Sequence, residues 1–241
     1  MTPTSPEVDT IVFDILGTLV DHDGAVRSAV SALVPDADAD RVDDLCAVWH
    51  GHVGTEHRRV IAGERTYATA DVLDREAAGL VAERAGVTGI ADGAALDEAS
   101  LTTRRVASWP DAAAALERLA ARYEVVGLSN ADLTTLLRLD ARAGLRWHLS
   151  LSAELARSFK PDPRVYRLAL ERIGRPPERT MLVATHAWDL RAARPEGMRT
   201  AYLARPTGDP PTSDDAFDLH ATSVDELLAV LLDPSTPGAA T

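Results

Sequence analysis

The chain has 241 residues, of which 46% are hydrophobic and 26% charged, and its formal net charge is −12. This composition is typical of a soluble globular protein. The acidic balance excludes nucleic acid and anionic membrane as expected partners, because both bind a basic face. No stretch approaches the roughly 20 apolar residues of a membrane helix, and no secretory signal is recognisable, so we expect a cytoplasmic protein. One cysteine, Cys46, allows neither an internal disulfide nor a multi-cysteine metal site.

The first half of the chain contains one predicted strand followed by helices. Residues 10–16, TIVFDIL, form a β-branched apolar run that predicts a buried parallel strand. A loose segment at residues 1–9 precedes it. Residues 25–105 are rich in alanine, leucine, glutamate and arginine, which predicts helices almost throughout and no strand. Five residues interrupt this helical pattern: Pro35, Gly63, Gly86, Gly89 and Gly93.

Strands and helices alternate from about residue 106 onward. Further strands are predicted at 124–130, 147–154, 180–186 and 200–206. Helices are predicted at 111–123, 132–143, 163–174, 188–197 and 224–232, and the tail at 233–241 is expected to be disordered. This alternation predicts an α/β fold, a doubly wound parallel sheet with right-handed crossovers, into which an all-helical segment is inserted after the first strand.

Polar residues follow four of the predicted strands. In open parallel sheets, ligands bind beyond the carboxyl ends of the strands. The residues at these ends are Asp14, Ser129, Asn130, Lys160, His186 and Asp189. Lys160 is the only lysine of the chain, since all other basic residues are arginines. A compact ammonium on a flexible stem differs chemically from the planar guanidinium fork, so we expect Lys160 to have a specific task.

Three segments, FDILGTL, SFKPDPRVY and ATHAWDLRAAR, carry these residues in an order that resembles the haloacid dehalogenase superfamily. The segments KPDPRVY and AWD most resemble the corresponding motifs of the type II (S)-2-haloacid dehalogenases. The resemblance covers nearly the whole chain. It implies a Rossmann-like core at residues 1–24 and 106–241, with a helical cap domain at 25–105. It also implies a small anionic substrate, no cofactor, no metal and a homodimer.

The residue two positions after Asp14 distinguishes two chemistries. A carboxylate at a strand end can act as a nucleophile and form a covalent aspartyl intermediate. The phosphatases of the superfamily have a second aspartate two residues later, which protonates the leaving alkoxide. Leu16 cannot donate a proton, whereas a halide leaves as a stable anion and needs none. The earlier acidic position of the fourth motif holds Thr185, which depletes the set of carboxylates that Mg²⁺ prefers.

The resemblance implies a role for each matching residue. Asp14 attacks the α-carbon and displaces the halide, and Thr18 and Ser129 hydrogen-bond the nucleophile or the substrate carboxylate. Lys160 keeps Asp14 ionised, and Tyr166 reaches back to the same site. The remaining matches are Asn130, which helps to hold the halide, and Asp189, which positions the hydrolytic water or the lysine.

Three positions depart from the dehalogenase pattern, and one of them is Ala184, where the fourth motif of the family has a serine. The family has an arginine straight after a cap tryptophan, and this chain has Trp49 followed by His50. An asparagine of the fourth motif is replaced by His186, which we expect to act with Asp189 as a general base on water. Candidate contacts to substrate or halide are therefore Leu16, His50, Asn130 and Trp188. One of three cap arginines is a further candidate for the missing halide-binding arginine: Arg58, Arg59 or Arg65.

Two other functions stay open at this point. One is a phosphatase, or another small-molecule hydrolase, that uses the same fold with Mg²⁺. The other is a binding or assembly module without catalysis, which the intact set of polar strand-end residues disfavours. Fold resemblance alone does not decide between them, because one scaffold carries many chemistries.

Overall fold

A computed structural model describes residues 7–87 and 93–233. Most of the predicted lead-in at 1–9 and of the predicted tail at 233–241, together with Gly89, lies outside the described residues. None of the helices in the described ranges is long and apolar enough to cross a membrane.

Six parallel strands form one sheet in the order β3-β2-β1-β4-β5-β6. They are β1 (Thr10–Asp14), β2 (Glu124–Ser129), β3 (Leu149–Ser152), β4 (Thr180–Ala184), β5 (Arg199–Leu203) and β6 (Leu219–Ala221). β1 is central, with Val12 aligned to Val126 of β2 on one side and to Leu182 of β4 on the other. The doubly wound α/β fold predicted from the sequence is confirmed.

β1 is shorter than predicted because it ends at its carboxylate. All five of its residues are buried, as expected for a central parallel strand. The chain then turns at Gly17, whose φ of 87° lies in the left-handed region that glycine adopts without strain. Leu16 forms an isolated bridge with Val20 across this turn instead of extending the strand.

The core helices follow the predicted positions closely. They are α5 (Ala112–Ala120), α6 (Leu133–Ala143), α7 (Pro163–Ile173), α8 (Ala187–Ala193) and α9 (Val224–Leu231). Each of α6 and α7 begins behind an aspartate that accepts a hydrogen bond from a backbone amide of the first turn, and each ends at a left-handed glycine. α8 passes into a short 3₁₀ turn at Arg194–Glu196 around Pro195, which agrees with the predicted interruption.

Among the described residues between β1 and α5 there are four α-helices and one 3₁₀ helix, Thr102–Arg105. The α-helices are α1 (His22–Leu33), α2 (Ala39–Ile61), α3 (Ala70–Ala85) and α4 (Ala94–Ser100). Breaks fall at the predicted Pro35, Gly63, Gly86 and Gly93. The helices bury a hydrophobic cluster of their own around Leu45 and Trp49. This cluster supports our proposal of a separate cap, although α1 begins at His22 and not at residue 25.

Candidate active site

Asp14 is the centre of the site at the carboxyl end of β1. The residue is only 4% exposed, and both carboxylate oxygens are hydrogen-bonded. Thr18 Oγ1 donates to Asp14 Oδ2 at 2.7 Å, and Lys160 Nζ donates to Oδ1 at 2.7 Å. Thr18 Oγ1 in turn accepts the Thr185 amide at 3.0 Å, which fixes the hydroxyl between β1 and the end of β4. The carboxylate is therefore held in one orientation.

Lys160 places its ammonium between two carboxylates. The residue is 2% exposed. Besides Asp14, Lys160 Nζ donates to Asp189 Oδ2 at 2.5 Å and to the Leu128 carbonyl at 3.3 Å. Burial lowers the pKa of Lys160, but the two adjoining carboxylates outweigh burial and raise that pKa above its ordinary value. The ammonium is therefore charged, with all three of its protons donated.

Tyr166 completes this network from the first turns of α7. Tyr166 Oη donates to Asp189 Oδ1 at 2.5 Å, and burial followed by the Asp189 charge raises the pKa of the phenol. Both Asp189 oxygens are thus engaged, one by Tyr166 and one by Lys160. Burial raises the pKa of Asp189 as well. The structure brings together the predicted Asp14, Thr18, Lys160, Tyr166 and Asp189.

The side chains of His186 and Asp189 are not hydrogen-bonded to each other, in contrast to the sequence prediction. The contact between these residues is a backbone one, in which the Asp189 amide donates to the His186 carbonyl at 3.0 Å. The Asp189 carboxylate faces Lys160 and Tyr166 instead, because α8 turns its buried side chain toward the sheet end. His186 nevertheless lines the cavity above Asp14. Its ring stacks on Trp188 with 5.7 Å between centroids.

Ser129 is the last residue of β2 and Asn130 follows it. Both side chains form their hydrogen bonds with backbone groups. Asn130 Oδ1 accepts the Lys160 amide at 2.6 Å, and Asn130 Nδ2 donates to the Lys160 carbonyl at 3.2 Å. This pair of bonds positions the lysine and leaves Asn130 on the cavity surface. Ser129 is fully buried, and its Oγ accepts the Ala131 amide at 3.1 Å. Ser129 is not among the residues that line the cavity.

A cavity of about 510 Å³ opens above Asp14, between the sheet and the helices α1 to α3. Its core wall includes Asp14, Leu16, Asn130, Lys160, His186 and Trp188. Its cap wall includes His50, Val53, Gly54, His57, Arg58, Ile61, Ala70 and Asp74. All four predicted substrate or halide contacts line this cavity, which are Leu16, His50, Asn130 and Trp188.

Three histidines face the cavity near Asp14. The rings of His22 and His50 are 6.2 Å apart, and His50 Nε2 is 3.7 Å from Asp23 Oδ1. Burial, then the neighbouring His50 and His186, lower the pKa of His22 to about 4, so its imidazole is neutral. Sequence analysis missed His22. The available signal was its place just after the turn that follows Asp14.

Of the three cap arginines, Arg58 alone lines the cavity. Arg58 donates to Thr55 Oγ1 at 2.9 Å, a contact within α2. Arg59 and Arg65 both donate to Glu56, at 3.0 Å and 2.5 Å, so they stabilise the outer face of the cap. Arg58 is therefore the one arginine placed to meet a ligand.

Two further polar groups of the cap wall were not singled out from the sequence. His57 stacks on Phe159 at 3.8 Å, and its Nε2 is buried with no hydrogen-bond partner in the described chain. Burial lowers the pKa of His57 to about 4. Asp74 Oδ1 accepts Trp49 Nε1 at 3.1 Å, and burial raises the pKa of Asp74 to about 7.

A metal-ligand set is not assembled at this site. Within residues 7–87 and 93–233, no three His, Cys, Asp or Glu side chains are grouped as a metal ion requires. Asp14 and Asp189 are instead bridged by the Lys160 ammonium. The position at which the superfamily's phosphatases carry another acid holds the buried Thr185.

Comparison with known proteins agrees with this geometry. A family model for haloacid dehalogenase-like hydrolases matches residues 8–197. An (S)-2-haloacid dehalogenase of Xanthobacter autotrophicus is 30% identical over 201 residues, which cover 82% of this chain and 76% of the relative. The crystal structure of an L-2-haloacid dehalogenase is 32% identical, with a TM-score of 0.82 and coverage of 93% of this chain and 99% of that one.

A second solved structure is the L-2-haloacid dehalogenase of Xanthobacter autotrophicus with chloropropionic acid covalently bound. It is 25% identical, with a TM-score of 0.79, and the match covers 94% of this chain and 99% of that one. These matches confirm the resemblance inferred from the three motifs. The chain belongs to the haloacid dehalogenase-like hydrolase family and, within it, to the (S)-2-haloacid dehalogenases.

Proposed function

We propose that the protein hydrolyses the carbon–halogen bond of 2-haloalkanoates without a metal and gives 2-hydroxy acids and halide. The observation that carries this proposal is the state of Asp14. It lies at the floor of a cavity, is bonded to Thr18 and Lys160, and has Leu16 where a proton donor would be needed for phosphate ester cleavage. The relatives named as dehalogenases support the same activity.

The first step is nucleophilic displacement. An Asp14 oxygen forms a bond to the α-carbon of the substrate while the carbon–halogen bond breaks and the halide leaves with its electron pair. Charge compensation by Lys160 keeps Asp14 ionised for this attack. Thr18 holds the other oxygen and fixes the direction of approach. No proton is transferred, which suits the leucine at position 16.

The second step is hydrolysis of the aspartyl ester. Water adds to the Asp14 carboxyl carbon, and the bond from that carbon to the ester oxygen breaks. The leaving oxygen takes one of the two protons of the water, so that the 2-hydroxy acid is released, the other proton goes to a base and the carboxylate is regenerated. We assign His186 as the acceptor of the water's proton, because its imidazole lines the cavity on the Asp14 side. Lys160 and Thr18 stabilise the oxyanion that forms during this step.

The leaving halide is proposed to move toward His50. This residue stands where the family has arginine, it lines the cavity, and its side chain is 41% exposed. A protonated imidazole is a weaker and pH-dependent substitute for guanidinium. His22 and Asn130 complete this side of the cavity as hydrogen-bond donors.

The same geometry disfavours the phosphatase alternative. A magnesium ion needs free carboxylate oxygens, and those of Asp14 and Asp189 are bonded to Lys160, Thr18 and Tyr166. The cap-wall cation that a small anionic substrate would meet is Arg58, because the Lys160 charge is already compensated by Asp14 and Asp189. Cytoplasmic location and a homodimer rest on composition and resemblance alone and stay predictions.

The test is halide release from chloro-, bromo- and fluoroacetate and from both enantiomers of 2-chloropropionate, with EDTA present. We expect wild-type protein to release halide and Asp14→Asn to release none. Magnesium-dependent hydrolysis of phosphate esters, with no halide release from any haloacid, would overturn the proposal in favour of the phosphatase.

A further inference from the structure

The cavity is larger than a short haloacid requires. Its volume of about 510 Å³ lies in the range of sites that enclose drug-sized ligands, whereas chloroacetate or 2-chloropropionate has only a few non-hydrogen atoms. Beyond Asp14 the cap wall is lined by small or aliphatic residues at four positions, which are Val53, Gly54, Ile61 and Ala70. We call the part of the cavity beside these four residues the channel; His57, Arg58 and Asp74 also line the cap wall.

Gly54 is the residue that keeps this channel wide. It lies in the middle of the 23-residue helix α2, where glycine costs about 1 kcal/mol relative to alanine. Neither backbone nor packing demands glycine there. Its φ is not positive, and a Cβ would meet only the flexible Arg58 side chain, at an ordinary 3.5 Å. A larger side chain at this position would occupy cavity space.

Asp74 supplies a polar group on the cap wall. The residue is 8% exposed, and one oxygen accepts from the Trp49 indole. The other oxygen, Oδ2, has no hydrogen-bond partner within residues 7–87 and 93–233. Oδ2 is not one of the fully buried atoms and faces the cavity, so a ligand that donates to it would take the place of water.

The neighbouring acids differ from Asp74 because their oxygens are already occupied. Asp71 Oδ2 accepts from Arg104 at 3.3 Å and its Oδ1 from the Val72 amide. Both Asp132 oxygens accept from Thr135, at 2.8 Å each. Asp23 of α1 also lines the cavity, but its side chain is 47% exposed. Asp74 is therefore the buried acidic side chain of the cap wall that has an oxygen free to accept from a ligand.

We propose that the preferred substrates are 2-haloacids with a long side chain, which runs over Gly54 and ends in a hydrogen-bond donor that Asp74 Oδ2 accepts. This inference rests on the proposed dehalogenase function and names its substrate class. The halogen-bearing carbon stays at Asp14, and the chemistry of the two steps is unchanged.

The test compares bromide release from three 2-bromoacids: 2-bromopropionate, 2-bromoheptanoate and 2-bromo-6-hydroxyhexanoate. It is run at pH 9, above the raised Asp74 pKa of about 7, so that Oδ2 is an acceptor. The last two have the same length and differ only in a terminal methyl or hydroxyl group. We expect kcat/KM to rise about tenfold or more from the propionate to the heptanoate, and again to the hydroxyl compound. The increase in kcat/KM from the propionate to the heptanoate measures the contribution of the channel. The increase from the heptanoate to the hydroxyl compound measures the contribution of Asp74.

Two variants test the two residues separately. Gly54→Leu should lower the ratio of kcat/KM for the heptanoate over the propionate by about tenfold. Gly51→Leu, one turn away on the exposed face of α2 and with open space around it, should leave this ratio unchanged. Asp74→Ala removes the acceptor, so it should abolish the advantage of the hydroxyl compound. Asp74→Asn keeps an oxygen for Trp49 and presents an amide that can donate to the hydroxyl oxygen, so it should retain part of that advantage.

The outcomes separate this inference from the function on which it rests. Bromide release from 2-bromopropionate that is as efficient as release from both longer acids would overturn the long-chain inference and leave the dehalogenase function intact. Equal values for the two long acids would overturn the role of Asp74. Absence of bromide release from all three acids would refute the proposed function itself.

Discussion

The core wall and the cap wall of the cavity differ in how completely their polar groups are paired. On the core wall, each oxygen of Asp14 and Asp189 accepts a hydrogen bond, and Lys160 donates all three protons. On the cap wall, His57 Nε2 has no partner in the described chain and Asp74 uses one oxygen of two. The reacting groups are fixed by strand ends, while the groups that remain free face a ligand from the helices.

Because of this difference, substitution of a polar residue should change the free energy of unfolding in opposite directions in the two regions. Removal of one partner from a complete buried network leaves a buried charge uncompensated and lowers stability. Removal of a buried polar group that is not fully paired relieves a desolvation penalty and raises stability. Four substitutions, two in the network around Lys160 and two on the cap wall, test whether this contrast holds.

Lys160→Met should have the largest effect, because it leaves the buried carboxylates Asp14 and Asp189 without their shared cation. We expect the free energy of unfolding at pH 8 to fall by about 3–5 kcal/mol and halide release to be lost. Urea unfolding measures the first quantity. Lys160→Arg keeps the charge and serves as the control, which should recover stability better than activity. A stable, active methionine variant would refute the network account.

Asp74→Asn should stabilise the protein at high pH. Burial raises the Asp74 pKa from its ordinary 3.8 to about 7, so the folded state keeps a proton that the unfolded state loses as pH rises through this interval. Asp74 therefore destabilises increasingly from pH 4 to pH 7, by ~4 kcal/mol at most. We expect the variant to have a higher Tm than wild type at pH 8 and an equal Tm near pH 4. The same difference at both pH values would contradict this.

His57→Phe should stabilise the protein, most strongly at low pH. Burial lowers the His57 pKa from 6.5 to about 4, so the unfolded state takes up a proton before the folded state does. Stability is complete above pH 6.5 and is lost as pH falls toward 4, by up to ~3 kcal/mol from this residue. Phenylalanine preserves the stack on Phe159 without titrating. Tm should rise at pH 8, because the unpaired Nε2 is removed, and should rise more at pH 5, where the titration of His57 adds to this effect. An equal rise at both pH values would count against this explanation.

Tyr166→Phe should have the smallest of the four effects. It removes one hydrogen bond to the buried Asp189 carboxylate and keeps the ring, which costs about 1–3 kcal/mol. We expect lower stability in urea and a decrease in kcat with little change in KM, because the phenol is bonded to Asp189 and is not among the cavity-lining residues. If the variant were more stable than wild type, loss of a partner in the core would not be destabilising, and the contrast with the cap wall would be refuted.

The site residues of the core were easier to predict from the sequence than those of the cap wall. Asp14, Lys160 and Asp189 follow successive strands, and parallel strands bring their carboxyl ends to one edge. Tyr166 could be predicted as a site residue because α7 begins close behind Lys160. The sixth strand, Leu219–Ala221, was missed because three residues at a sheet edge carry too little apolar pattern.

The cap wall could not be derived in the same way. His57 and Asp74 lie on different helices, α2 and α3, and the helical pattern does not say how those helices are rotated against the sheet. His22 was missed for a similar reason, since it precedes the predicted cap. The expected pairing of His186 with Asp189 failed because both are near the start of α8 in sequence, while Tyr166 and Lys160 compete for the same carboxylate through space.

The most direct test of the central claim follows the oxygen atom of water. Excess enzyme would be mixed with 2-bromopropionate in H₂¹⁸O for a single turnover, and Asp14 and the hydroxy acid would be analysed by mass spectrometry. An aspartyl ester that water opens at its carboxyl carbon predicts ¹⁸O in the Asp14 carboxylate and none in the product. Label in the 2-hydroxy acid, with Asp14 unlabelled, would mean direct attack of water on the substrate and would contradict the role of Asp14 as nucleophile.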